Sequence, residues 1–505
     1  MKVDQIKAGI ILNYSTVVLN MIVGICYTPY LLRCLGQNEY GLYSLVASIV
    51  AYLSVLDFGF GNATIRYTAK LRAQSKVDEL CEMLGMFMRL YLIIGILALI
   101  AGLGIVFNVN NIFDSSLSPE ELEKARIMML MLVINVALTF PLSIYGSILQ
   151  AYEIFVVPKF LDLLRILLTT VVMIALLSLG YKALALVTVQ VVVNIAILIA
   201  NLLYCKKIVN IKVKYGKIDR TLLKEITVYS FWIFWMLIID NLYWNTGQFV
   251  LGSVVGTAAV AIFAVAVQLH DMHQRFSTAM SAIFLPKITA MVATTGNEKS
   301  ISDFFIKCGR IQYIVLSFVL VAFVLFGREF INLWAGTDYD QAYIMTLLLF
   351  VPTTIPLIQN IGIIILQARN QMKFRAICYT FTAILNLILQ IILVKQYEGI
   401  GCSFSIAIAV CVGHILVMNV YYHKKQHLDM VCFWRNISKM TLFPFMMMCL
   451  GGCVIKVLNF EYSWTAFIAT TSIFTLVYAP FSYLFQMNEY EKYLFKSILI
   501  KIKQW

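Results

Sequence analysis

What most constrains this chain is a succession of apolar runs, each about 20 residues long, separated by short polar stretches from one end to the other. A helical run of that length matches the roughly 30 Å hydrocarbon core of a bilayer. In hydrocarbon only helices and closed barrels satisfy their own backbone hydrogen bonds, and continuous stretches such as MLVINVALTFPLSIYGSIL lack the alternation of a barrel strand. Composition agrees: of 505 residues 61% are hydrophobic and 13% charged, with mean hydropathy +0.85, which excludes a set of two or three soluble domains. The chain therefore reads as an all-α integral membrane protein. Apolar windows place spans near 10–32, 40–60, 83–107, 126–149, 160–179, 184–204, 226–250, 258–280, 304–327, 341–367, 375–394, 401–422, 438–458 and 464–486, about fourteen transmembrane helices. The two spans either side of Gly180 also read as one broken unit.

Charge gives the orientation. Lys and Arg number 39 against 26 Asp and Glu, a net +13, but the basic residues sit in short clusters between spans rather than on a nucleic-acid-binding surface. With the amino terminus inside, alternate connections such as RYTAKLRAQSK, CKKIVNIKVKYGKIDRTLLK and HKKQHLDMVCFWRNISK, with both termini, collect about 30 of the basic residues, and only about six fall opposite. Both termini are thus expected in the cytoplasm. The start of the chain, a short charged segment before an apolar run, reads as a retained anchor rather than a cleaved signal peptide. No connection exceeds roughly 30 residues, too few for a folded extramembrane domain. The 11 Cys lie mostly within or beside spans without a CxxC, and read as small apolar residues with neither disulfide nor metal role.

The tetrapeptide ILQA occurs twice, at Ile148–Ala151 and Ile365–Ala368, closing spans 4 and 10 at an offset of 217 residues. Four letters alone are expected by chance in so apolar a chain. Two further matches share nearly that offset: LGQNEYGLYSLVAS from Leu35 with VGTAAVAIFAVAVQ from Val255, and RLY from Arg89 with RIQY from Arg310. A period of six spans keeps both copies in one orientation, so the halves read as two parallel-related six-helix bundles with two extra carboxy-terminal helices. The expected domains are residues 1–224, residues 225–430, and residues 431–505 with a short basic tail.

The segment YLLRCLGQNEYGLYSLVASIVAYLSVLDFGFGNATIRYTAKLRAQ, with Arg33, Leu35, Gly36, Tyr40, Gly41, Tyr43, Asp57, Gly59, Gly61 and Arg66, resembles the amino-terminal signature of the Wzx-type polysaccharide flippases. These belong to the multidrug/oligosaccharidyl-lipid/polysaccharide exporter superfamily. The resemblance implies a V-shaped exporter fold in the bacterial cytoplasmic membrane. It also implies transport of undecaprenyl-pyrophosphate-linked oligosaccharide from the inner to the outer leaflet through a cationic cavity. A polysaccharide polymerase and a chain-length regulator are the implied protein partners; no nucleic acid is.

Polar residues inside spans are costly unless they face protein or water, so each is a candidate site with a structural competitor. In span 7, Asp240, Asn241, Trp244, Asn245 and Gln248 fall on one helical face, as a cavity lining or as interhelical hydrogen-bond glue. In span 8, Asp271 and Arg275 are spaced to pair, beside His270 and His273, as an internally satisfied patch or as a protonatable or anion-binding site. Asp240, His270 and Asp271 are the candidates for ion coupling. Arg66, Arg89 and Arg165, the last with Asp162 three residues before it, suit a pyrophosphate by their planar bidentate fork, or act as interfacial anchors. Arg33, at the outer end of span 1, reads as an interfacial anchor or as a group that receives the head group there. Asn135, Thr139, Ser143 and Gln150 in span 4, with Asn360 and Gln367 in span 10, suit sugar hydroxyls or helix packing; Gln150 and Gln367 form a pair at the expected inner mouth. Pro141, Pro352 and Pro356 are placed to bend these helices.

Enzymatic readings lack their parts: there is no GxxxxGK[ST], no HExxH and no large loop for a polymerase or glycosyltransferase site. No catalytic residue, cofactor or metal is expected. The reading is a lipid-linked oligosaccharide flippase. An ion-coupled drug/cation antiporter of the same superfamily and a non-transporting membrane scaffold of a polysaccharide assembly complex stand as alternatives. The glycan, whether O-antigen, capsule or exopolysaccharide, is left open.

Overall fold

A computed structural model describes residues 5–209, 214, 220–294, 298–369, 371–458 and 463–503. Parts of the basic connections after spans 6, 8 and 10, and both chain ends, lie outside the described residues. Among the described residues the chain is helical, without strands, and forms fourteen long helices plus a short last one. They are α1 (5–35), α2 (37–73), α3 (Val77–Phe107), α4 (Pro119–Ala151), α5 (Val156–Ser178), α6 (Ala183–Ile208) and α7 (220–254). They continue with α8 (Thr257–Thr294), α9 (Glu298–Trp334), α10 (342–368), α11 (373–397), α12 (399–424), α13 (Met430–Leu458) and α14 (464–486); α15 (Glu489–Lys503) is the last. Ile96, Ile100 and Val171 are 57%, 61% and 62% exposed. Large apolar side chains turned outward in such numbers are the surface of a protein whose solvent is lipid.

The helices are longer than the apolar windows; the breaks at Gly36 and Glu398 fall between expected spans, whereas those inside α2 and α7 were not visible in hydropathy. α1 and α2 meet at Gly36, where φ is 74°, a left-handed conformation that a side chain resists. The expected span 40–60 proves to be the first part of α2: a turn at Val55–Asp57, then Phe58 and Gly59 both at positive φ, breaks it before the helix resumes to Ala73. α7 is corrected likewise, because Asn245 separates Arg220–Trp244 from Thr246–Val254. Its amide donates to Asn241 Oδ1 at 2.8 Å, and amide side chains of this kind compete with the helical backbone. The stripe from Asp240 to Gln248 is therefore not one continuous helical face. Pro352 and Pro356 lie in α10, which bends by 43° at Gln359. α11 and α12 are separated by Glu398 at φ 48°. α4 starts on a capping box, Ser118 with Glu121, and Pro119 at the first helical position.

By tertiary contact the chain divides into residues 1–264 with 394–398, and residues 265–393 with 399–505. In the first unit α3 packs along α4, α4 along α6, and α1 along α5. Phe60, Phe87, Tyr91, Ile144 and Ile148 form the core where α2, α3 and α4 meet. Gly41 of α2 lies so near the start of α8 that a Cβ would run into the Thr257 carbonyl. In the second unit α9 packs on α13 and α14 through Phe326, Phe443, Phe474 and Tyr478.

The sequence correspondences have matching backbones. Gly36 and Gly256, 220 residues apart, both take positive φ ahead of a helix. Both ILQA copies form the final helical turn. Ile148 O accepts from Tyr152 N and Leu149 O from Ile154 N, as Ile365 O accepts from Arg369 N and Leu366 O from Gln371 N. The same four residues stop two helices with the same pair of hydrogen bonds.

Candidate functional site

The first unit holds a polar cavity of about 450 Å³, walled by α2, α4, α5 and α6. Asn135, Thr139 and Ser143 come from α4, where the i, i+4, i+8 spacing lines up one face. Arg165 and Thr169 come from α5, Gln190 and Asn194 from α6, again four residues apart on each helix. Ser54 and Asp57 come from α2, at the break that ends its first half. That break turns a carboxylate inward: the Tyr91 phenol and the main-chain amides of Gly59 and Gly61 face Asp57.

Part of this lining forms a connected network around Arg165 and Asn194. Arg165 donates through Nη2 to Asp162 Oδ1 at 3.0 Å and through Nη1 to Asn194 Oδ1 at 3.4 Å. Asn194 Nδ2 donates to Asn135 Oδ1 at 2.9 Å and to Thr139 Oγ1 at 3.1 Å. The Tyr43 hydroxyl donates to Gln190 Oε1 at 3.2 Å. A guanidinium has five N–H donors and these bonds use two, so the group keeps donors for a guest. The charges lining the cavity are one guanidinium and one carboxylate, Arg165 and Asp57. With its amides and hydroxyls, such a lining offers both donors and acceptors around a roughly balanced charge. This is the chemistry that a polyhydroxylated ligand needs.

Of the residues singled out by sequence, Arg165 lines this cavity with Asn135, Thr139 and Ser143. Gln190 and Asn194 were passed over, although two amides four residues apart in the apolar run VTVQVVVNIAIL carry the same signal as the α4 stripe. Arg66 is exposed on α2 and Arg89 half-buried on α3; neither lines the cavity. Asp240 is exposed on α7. Asn241 and Asn245 are half-buried and bonded to each other, with Asn241 Nδ2 also donating to Leu237 O at 3.0 Å; Gln248 is half-buried beyond the break. Gln150 is half-buried and Gln367 exposed, each in its helix-ending turn.

On α8, His270 is buried, and Asp271 approaches its Nδ1 at 3.7 Å. The expected Asp271–Arg275 pairing is not formed: among the described residues no ion pair joins them, and both side chains are exposed. His273 instead contacts Thr354 Oγ1 at 3.2 Å and stacks on Phe350 at 4.4 Å. In the second unit, Asn360 donates to Ser277 Oγ, which donates to the Leu357 carbonyl. Together they serve the backbone freed by the bend in α10.

The second unit also carries an apolar groove of about 650 Å³ between α13 and α14, with Phe443, Met447, Leu450, Ile473, Phe474 and Val477 among its walls.

Residues 6–292 match the model of a family described as polysaccharide biosynthesis protein. Among solved structures, the lipid II flippase MurJ in an inward closed conformation is similar with a TM-score of 0.69, at 18% identity over 94% of this chain and 98% of that one. An inward-facing multidrug resistance MATE family transporter of the MOP superfamily gives 0.65, at 16% identity over 83% and 96%. The Vibrio cholerae MATE transporter VcmN in its bent form gives 0.54, at 13% over 85% and 98%. At identities this low the likeness is one of fold. No curated protein matches the chain.

Proposed function

Because the chain belongs to the polysaccharide biosynthesis protein family, whose model matches residues 6–292, we propose that it is a lipid-linked oligosaccharide flippase. Its substrate would be a polyprenyl-pyrophosphate-linked oligosaccharide, carried from the inner to the outer leaflet of the bacterial cytoplasmic membrane by alternating access. The observation that carries this reading is the cavity joining Arg165, Asn194, Asn135, Thr139, Gln190 and Asp57. Moving a sugar through hydrocarbon costs several kcal/mol per unsatisfied hydroxyl, and amides and hydroxyls offset that cost by replacing water. Arg165 adds a charge-assisted donor for the anionic end of the head group. The apolar groove between α13 and α14 suits a polyprenyl chain, which gains from staying in contact with hydrocarbon.

On this reading residues 1–224 and 225–430 are the two lobes and 431–505 an addition. Arg66, Arg89, Arg275, Gln150, Gln367 and the α7 amides serve the substrate's path outside the cavity. With no nucleotide hydrolysis, the membrane potential supplies about 2.3 kcal/mol per charge per 100 mV and, negative inside, favours outward passage of an anion. Asp240, His270 and Asp271 are the further candidates for ion coupling. A polymerase and a chain-length regulator would take up the product at the outer face.

The test is complementation of flippase-null strains of defined glycan structure. Arg165→Ala and Asn194→Ala, expressed at normal level, are expected to lose surface polysaccharide and accumulate inner-leaflet lipid-linked glycan. Normal export by both variants would overturn the assignment of this cavity. A second reading, an ion-coupled drug/cation antiporter, is favoured by Asp57, a carboxylate in the same cavity. It requires Asp57→Asn to abolish drug resistance conferred by the wild-type chain, with polysaccharide export absent from both.

A further inference from the structure

A further groove lies far in sequence from the cavity, and what it holds does not depend on the transport reading. α12 contains an eight-residue π-helical segment, Val410–Val417. Such turns insert a residue into the helix and occur disproportionately at functional positions. Here Gly413 lets α11 approach closely, since a Cβ would meet the Thr382 side chain, and Cys378 Sγ contacts the Gly413 carbonyl at 3.8 Å. At the end of the segment a groove of about 430 Å³ opens between α11 and α12.

The groove is apolar along its length and basic at one end. Leu416, Val417 and Val420 line it, with Leu416 63% and Val420 55% exposed, so this wall faces outward from the helix pair. Phe374 of α11 and Tyr421 of α12 stack at 4.0 Å, nearly parallel, and close the groove on one side. At its end stand Lys424 and Lys425, both exposed. Neither forms an ion pair among the described residues. Glu298 pairs with Arg369, and Asp429 accepts from Cys432 N at 2.8 Å.

We propose that this groove holds an anionic phospholipid, one acyl chain along Leu416, Val417, Val420 and the Phe374–Tyr421 pair, its head group on Lys424 and Lys425. The two parts of the site select the occupant together. Two unpaired ammonium groups ask for a phosphate, and basic pockets between transmembrane helices meet lipid head groups in this way. A free phosphate gains nothing from the apolar wall, whereas a phospholipid uses both. A zwitterionic lipid brings its own cation to its phosphate, which leaves two lysines uncompensated.

The test uses the full chain in detergent, titrated with phosphatidylglycerol or with phosphatidylcholine of the same acyl chains and read by native mass spectrometry. One phosphatidylglycerol is expected to be retained in preference to phosphatidylcholine. Lys424→Ala with Lys425→Ala is expected to weaken retention about 25-fold, at about fivefold per lysine. Val420→Trp, which fills the groove and leaves both lysines, is expected to lose the lipid as well. Gel filtration of each variant as a single sharp species establishes that it is folded. Equal retention of the two lipids, or undiminished retention by the folded double alanine variant, would overturn the proposal. So would displacement of the lipid by millimolar inorganic phosphate, which would mark a simple anion site.

Discussion

Arg165 binds Asp162 and Asn194 and still presents donors to the cavity, so its geometry matters as much as its charge. Arg165→Lys keeps the charge and loses the fork; export in the complementation assay is expected to fall nearly as far as with alanine. Asn194→Ala leaves the buried Asn135 amide oxygen without its donor, and thermal unfolding in detergent is expected to show a loss of about 1–3 kcal/mol. The buried pair Arg310–Glu491 makes a larger effect measurable. Arg310 donates to both carboxylate oxygens, at 2.6 and 3.0 Å, and to Asn436 Oδ1 at 3.2 Å. Arg310→Ala strands the carboxylate and should cost about 3–5 kcal/mol, while Arg310→Met with Glu491→Leu should recover most of it. Sequence marked Arg310 only as a repeat position, because nothing local announces a partner 181 residues away. It found Asn135, Thr139 and Ser143 through their helical spacing. Arg66, Arg89 and Arg275, chosen on chemistry alone, lie outside this cavity, since the rotation of each helix about its axis is set by packing and leaves no mark in the residue itself.

The helices were legible because hydrocarbon imposes their length and apolarity; their breaks were not, because a break of one or two residues barely changes a twenty-residue average. Asp57–Phe58–Gly59 and Asn245 are such breaks, and the first of them delivers a cavity carboxylate. Close helix approach is equally local. Gly41→Ala places a methyl against the Thr257 carbonyl, and a loss of roughly 1–3 kcal/mol is expected, seen as a lowered Tm without loss of helical circular dichroism. The short connection between α9 and α10 has its own pH dependence. Arg328 hydrogen-bonds Asp340 at 2.7 Å and holds its carboxyl below the usual range. A lowered folded-state value means that the stabilisation is present above about pH 4 and lost as pH falls further. Arg328 is 63% and Asp340 36% exposed, so the effect should stay under about 1 kcal/mol and vanish in Asp340→Asn, compared by unfolding at pH 6 and pH 3.

At the scale of the molecule, the repeat was read from three short matches, and two of them carry matched backbone geometry at Gly36/Gly256 and at the ILQA turns. Orientation is a separate matter, set by where charge falls between spans. Reporter fusions at both ends are expected to score as cytoplasmic, with a fusion in the 108–118 connection scoring on the opposite side. The tail helix α15 adds a constraint on the second unit. Glu491, which reaches Arg310, also accepts from Asn488 N and thereby caps this helix. A ribosome adding 5–20 residues per second needs roughly 10–35 s to travel from Arg310 to Glu491. For that interval a cation sits in a nascent helix whose counter-charge has not been made. The second unit therefore completes its assembly only after Glu491 has been made, and the order of events in time is written into a single ion pair.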